Sequence, residues 1–155
     1  MQNSRKCAIF ARDRKLTVMG RILSIDYGRK RTGLAVTDPL QIIANGLTTV
    51  PTHELEKWLM DYIPREGVER VIVGMPRRMS GEMSESWQYI EPFLNRLQKL
   101  MPDLPIELVD ERFTSKIAFQ TMIDSGLKKK QRQNKGTIDQ IAATIMLQDF
   151  MKSEE

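Results

Sequence analysis

The sequence predicts an α/β fold: a mixed five-stranded sheet whose first three strands are antiparallel, with helices on both faces. Three observations predict it. Short extended runs over 21–27, 32–37 and 46–50 read as an antiparallel meander. Arg70-Val71-Ile72-Val73-Gly74 is a continuous apolar run, the pattern of a central strand covered on both faces. Helix and strand patterns alternate from residue 52 onward.

Ile22-Leu23-Ser24-Ile25 forms the first strand and ends at Asp26. Gly28 supplies the tight backbone path that lets Gly33-Leu34-Ala35-Val36 return beside it. Gly46–Val50 is the third extended run, and Thr52 stands as the N-cap of a helix. Leu55, Trp58, Leu59, Tyr62 and Ile63 recur at helical spacing and make one buried stripe. After the central run, Gly74-Met75-Pro76 opens a loop through Gly81. Trp87, Ile90, Phe93, Leu94 and Leu97 then mark a second helix, in which Pro92 should produce a kink. Pro105–Val109 is the next strand and runs into Asp110-Glu111-Arg112. Thr114 or Ser115 caps a short helix ending near Gly126, and Thr137 with Gln140 forms a capping box for the last helix.

At 155 residues, 41% hydrophobic and 28% charged, the chain suits one well-buried core. The domain is expected over 19–151, with a flexible basic extension at 1–18 and a tail at 152–155. No apolar run approaches the roughly 18 to 20 residues of a membrane span, and the start lacks a secretory pattern, which points to the cytoplasm. Cys7 is the lone cysteine, so neither an internal disulfide nor a zinc cluster is expected. The net charge of +4 belongs to residues 1–19, which hold five basic residues and one acid. The remainder balances 19 basic against 19 acidic residues, so local clusters must indicate partners.

Three acidic positions fall at element ends: Asp26, the pair Asp110 and Glu111, and Asp139 in the first turn of the last helix. Each has an ordinary explanation. Asp before Gly is common turn chemistry, Glu111 suits a surface pair with Arg112, and an acid in a first helical turn favours the helix dipole. Only their convergence makes a site; strand alternation sends Asp110 and Glu111 to opposite faces, so at most one joins Asp26 directly, and Glu111 is favoured. Carboxylates without histidine suit hard cations, Mg²⁺ or Mn²⁺, and a pair of such ions serves phosphodiester hydrolysis. His53 is the only histidine and has no serine or cysteine motif beside it, which disfavours a Ser-His-Asp hydrolase. Phosphate-facing charge is available in Arg29-Lys30-Arg31, in Arg77-Arg78 and in the basic run 128–135. No aromatic residue interleaves the last run, so backbone contacts are expected over base reading.

Ile-Asp-Tyr-Gly-Arg-Lys-Arg-Thr-Gly-Leu-Ala-Val, Val-Gly-Met-Pro-Arg-Arg-Met-Ser-Gly, Asp-Glu-Arg-Phe-Thr-Ser and Asn-Lys-Gly-Thr-Ile-Asp occur in this order. Over residues 19 to 151 the chain therefore resembles the YqgF (RuvX-like) family. The resemblance implies a ribonuclease H-like fold and a nuclease that trims the 5′ end of precursor 16S ribosomal RNA in bacteria. Holliday-junction resolution is an earlier reading of the same family. It also implies that Asp26, Glu111 and Asp139 are the metal-binding and catalytic acids. Arg112 is then a candidate phosphate contact, with Arg31, Arg77, Arg78 and Lys135 as looser substrate contacts. Unlike some ribonuclease H-like nucleases, the chain ends its central strand Val73-Gly74-Met75-Pro76 without an acid. The partner implied is precursor 16S rRNA or structured DNA, with no membrane, and the protein is expected to be a monomer or weak dimer. Two rivals differ in class. One is a nucleotide phosphate loop of the actin, Hsp70 and sugar-kinase type, which needs a second domain the length does not allow. The other is a non-catalytic RNA-binding assembly factor.

Overall fold

A computed structural model describes residues 20–75, 85–110 and 135–154, with the side chains of Lys135 and Gly136 outside that set. Five strands form one sheet in the order β3-β2-β1-β4-β5: β1 Arg21–Asp26, β2 Arg31–Thr37, β3 Ala44–Pro51, β4 Val68–Met75 and β5 Ile106–Asp110. β1, β2 and β3 are an antiparallel meander, and β4 and β5 add in parallel. A 3₁₀ turn, Thr52–Glu54, leads into α1 Leu55–Glu66, and the remaining described helices are α2 Trp87–Leu100 and α3 Lys135–Ser153. This is the mixed sheet the extended runs and the apolar central strand predict.

Strand alternation sorts the side chains onto two faces. Leu23, Ile25, Leu34, Val36, Val71 and Val73 pack with Leu55, Leu59, Tyr62 and Ile63 of α1 and Ile90, Phe93, Leu94 and Leu97 of α2. Ile22, Ala35, Ala44 and Ile72 point the other way, onto Ala143, Met146 and Leu147 of α3. Ser24 shares that second face and is fully buried, and its hydroxyl donates to the Ala143 carbonyl at 2.8 Å. A buried hydroxyl satisfied by a helix carbonyl costs little, and it fixes where α3 sits along β1.

Several local expectations differ from the structure. Thr52 does not cap a helix: the 3₁₀ turn begins at that residue, and α1 starts without a side-chain cap. Its hydroxyl instead donates to the Gly28 carbonyl at 2.5 Å. Gly28 is required for closeness rather than for a left-handed backbone, because a Cβ there would stand 2.3 Å from the Arg31 carbonyl oxygen. α2 continues through Pro92 as a single helical segment. α3 begins at Lys135, so Thr137 and Asp139 lie inside the helix and the expected capping box and first-turn acid are both displaced. Gln140, the supposed box partner, packs its side chain against Gly46 of β3. The short helix expected from Thr114 to Gly126 lies outside the described residues.

Candidate metal and nucleic-acid site

One end of the sheet collects the chemistry. β1 and β4 finish there at Asp26 and Met75, β5 finishes there at Asp110, and β2 starts there at Arg31. Asp26 is half-buried, and alternation from Ile22 and Ser24 places it on the face that α3 covers. Tyr27, one residue on, turns to the opposite face and sets its ring 5.0 Å from that of Phe93. Burial pushes the Tyr27 hydroxyl above its ordinary pKa, against a lowering influence of Arg96 and a raising one of Glu56. A tyrosine anchored under α2 thus holds the neighbouring carboxylate toward α3.

Gly33 is the residue that lets α3 come close. It is the cross-strand partner of Asp26, and a Cβ built on it would lie 2.2 Å from the Asp139 carbonyl oxygen and 2.3 Å from its carbonyl carbon. The backbone of Asp139 therefore occupies the space a side chain opposite Asp26 would fill. Opposed Cβ positions in an antiparallel pair are about 4.5–5.5 Å apart, so the Asp139 main chain lies within roughly 8 Å of the Asp26 Cβ. The structure brings these two acids of the trio together from distant parts of the sequence.

Arg31 completes the described part of the site. Its Nε stands 2.9 Å from Asp139 Oδ2, with both side chains only partly exposed. That nitrogen is buried and has no hydrogen-bond partner among the described residues, so its contact with Asp139 is an ion pair. Arg29 lies over the Tyr89 ring at 4.4 Å from its centre, a cation–π contact between the β1–β2 turn and α2. Gly28, Arg29, Lys30, Arg31, Ser86 and Asp139 line an open cleft of about 610 Å³. Three cations beside the Asp139 carboxylate give this cleft the charge to meet a polyanion.

Asp110 closes β5 as an exposed residue. Ile106 packs toward α1 and α2 and Val109 toward α3, so alternation places Asp110 on the face away from Asp26. Glu111, Arg77, Arg78 and Arg112 lie outside the described residues, as does the side chain of Lys135. Among the described residues no three His, Cys, Asp or Glu side chains group closely enough to hold a metal. Sequence reasoning missed the bond of Thr52 to the Gly28 turn, Tyr89, and the role of Gly33. Only Gly33 carried a signal: a glycine inside an apolar strand marks a close approach of backbone.

A profile described as "RuvX: Holliday junction resolvase" matches residues 20–153. A protein of Flavobacterium johnsoniae named "Putative pre-16S rRNA nuclease" is 61% identical over 136 residues, which is 88% of this chain and 99% of that protein. Another of the same name from Bacteroides fragilis is 57% identical over 136 residues with the same coverage. Among solved structures, Thermus thermophilus RuvC bound to a Holliday junction substrate aligns with a TM-score of 0.55 and 17% identity. That alignment covers 87% of this chain and 95% of RuvC, and it supports the ribonuclease H-like fold. With a profile that runs through all described elements and relatives matched along nearly their full length, the chain belongs to the RuvX family.

Proposed function

We propose that this chain is a metal-dependent nuclease that hydrolyses RNA phosphodiester bonds and trims the 5′ end of precursor 16S rRNA. The observation that carries the reading is the approach of Asp26 and Asp139 across Gly33, with Arg31 beside them. Asp110 belongs to the other face, which leaves Glu111 as the third acid. Asp26, Glu111 and Asp139 are all oxygen donors, a set that fits Mg²⁺ or Mn²⁺. Divalent ions held by them would supply the charge that activates water and stabilises the leaving oxygen. The chain's own part is to place and neutralise the substrate: Arg29, Lys30 and Arg31 line the cleft, and by their resemblance to the family's basic positions Arg77, Arg78, Arg112 and Lys135 would add phosphate contacts. In-line hydrolysis leaves a 5′-phosphate and a 3′-hydroxyl. A monomer or weak dimer acting in the cytoplasm suits this role; among the described residues no helix is long and apolar enough to cross a membrane.

The test incubates purified protein with a precursor 16S 5′ fragment and with a four-way DNA junction, each with Mg²⁺ or Mn²⁺. Asp26→Asn and Asp139→Asn are run beside it. RNA cleavage lost in both variants supports the reading. Cleavage that survives both removes these acids from the mechanism, preferential junction cutting moves the substrate to DNA, and binding without cutting under either metal leaves an assembly factor.

A further inference from the structure

The geometry points to Thr52 as a positioning residue that holds the Gly28–Arg31 turn in its working shape. This rests on the proposed nuclease site and adds to it a residue that touches neither substrate nor ion. Thr52 opens the 3₁₀ turn after β3, yet its hydroxyl and its amide both donate to the β1–β2 turn. Its hydroxyl donates to the Gly28 carbonyl at 2.5 Å, its amide donates to the Lys30 carbonyl at 3.0 Å, and the Thr32 hydroxyl is 3.0 Å from its own. Two carbonyls of one short turn are thus held by one residue, and the backbone between them bears Arg29 and Lys30.

The turn needs such a restraint because of what it carries. Arg29, Lys30 and Arg31 are consecutive cations lining the cleft, and their mutual repulsion favours a splayed turn. Gly28 is already pressed against the Arg31 carbonyl, so the conformation is tight as well as charged. The turn leaves directly from Asp26, and Arg31 is the residue that meets Asp139. Loss of the restraint would therefore alter phosphate placement and both acids' surroundings together. The Thr52 amide remains after any side-chain change, so the hydroxyl's share is separable.

The test compares Thr52→Val, Thr52→Ala and Thr52→Ser with wild type. Two readouts are used: cleavage of the precursor 16S 5′ fragment, split into kcat and KM, and amide exchange of residues 28–31 without nucleic acid. Thr52→Val and Thr52→Ala are expected to lower kcat on the order of tenfold with a smaller change in KM and to speed exchange in the turn. Thr52→Ser, which keeps the hydroxyl, is expected to restore most of both. Wild-type exchange and kcat in the Val and Ala variants would overturn the inference, as would a Ser variant as impaired as they are. Variants that fail to fold at assay temperature while Ser folds would show Thr52 to be a general stability residue and would likewise overturn it. If wild type cuts nothing, the nuclease reading falls alone, and unchanged or faster exchange still decides whether Thr52 restrains the turn.

Discussion

Gly33→Ala is the substitution whose consequence is best fixed by the geometry. The added methyl would stand 2.2 Å from the Asp139 carbonyl oxygen, 2.3 Å from its carbon and 2.8 Å from the Gln140 nitrogen, all main-chain atoms of α3. Ordinary contact begins at 3.4 Å, so the helix must retreat by about 1.2 Å at the residue that carries a candidate catalytic carboxylate. Overpacking of this kind costs about 1–3 kcal/mol in stability. A misplacement near 1 Å in a catalytic group lowers rate about a hundredfold, equivalent to roughly 2.7 kcal/mol in the barrier. Gly46→Ala is the matched control: its methyl meets side-chain atoms of Gln140, Nε2 at 2.8 Å, Cγ at 3.1 Å and Cδ at 3.3 Å, and not the helix main chain. Cleavage of the precursor 16S fragment and thermal melting are measured for both. Gly33→Ala cutting at the wild-type rate, or Gly46→Ala losing as much, would refute the reasoning.

Glu111→Gln is expected to abolish cleavage and Asp110→Asn to leave it within about twofold, in the same assay, because Asp110 lies on the sheet face away from Asp26. Chelation is expected to stop cleavage, with Mg²⁺ or Mn²⁺ restoring it; an ion at a hundred times its Kd adds about 2.7 kcal/mol to stability, read as a rise in Tm that Asp26→Asn loses. Burial nudges Asp38 upward, but amides of Ile43, Ile42, Asp38 itself and Leu40 overcome it and hold its pKa below the ordinary 3.8. With the folded value depressed, this stabilisation is full above the unfolded pKa and lost as pH falls through the folded one. Asp38→Ala is therefore expected to lower stability at pH 7 by on the order of 1 kcal/mol, with the gap to wild type closing below about pH 4 in denaturant melts.

The parts of this fold legible in the sequence are those set by periodicity. Leu55, Leu59, Tyr62 and Ile63 were readable as a stripe because a helix buries every third or fourth residue, and the α1 burial follows it. Val71, Ile72 and Val73 read as a two-sided strand because both faces are covered, by α1 and α2 on one side and α3 on the other. The Thr52 misreading has a clear physical origin, competition between a local hydrogen bond and a distant one. Thr52 and Thr137 both have capping chemistry, yet Thr52 spends its hydroxyl on a turn 24 residues earlier. Nothing local distinguishes those two uses. In the site, Asp26 was legible as a strand-end acid, and Arg31 as part of a basic cluster. That Arg31 pairs with Asp139, and that a missing side chain at Gly33 admits the helix, depends on sheet–helix docking that no short window contains.

The Ser24 bond to Ala143 joins the first strand to the last helix, and it has a consequence for biosynthesis. Synthesis proceeds from the amino terminus, so β1 to β5 emerge while Ile22, Ala35 and Ile72 still lack their cover. The growing polypeptide consequently carries an uncovered apolar surface until residues 135–153 have been made. A product that stops before this helix therefore leaves Ile22, Ala35 and Ile72 open to water and to other apolar surfaces.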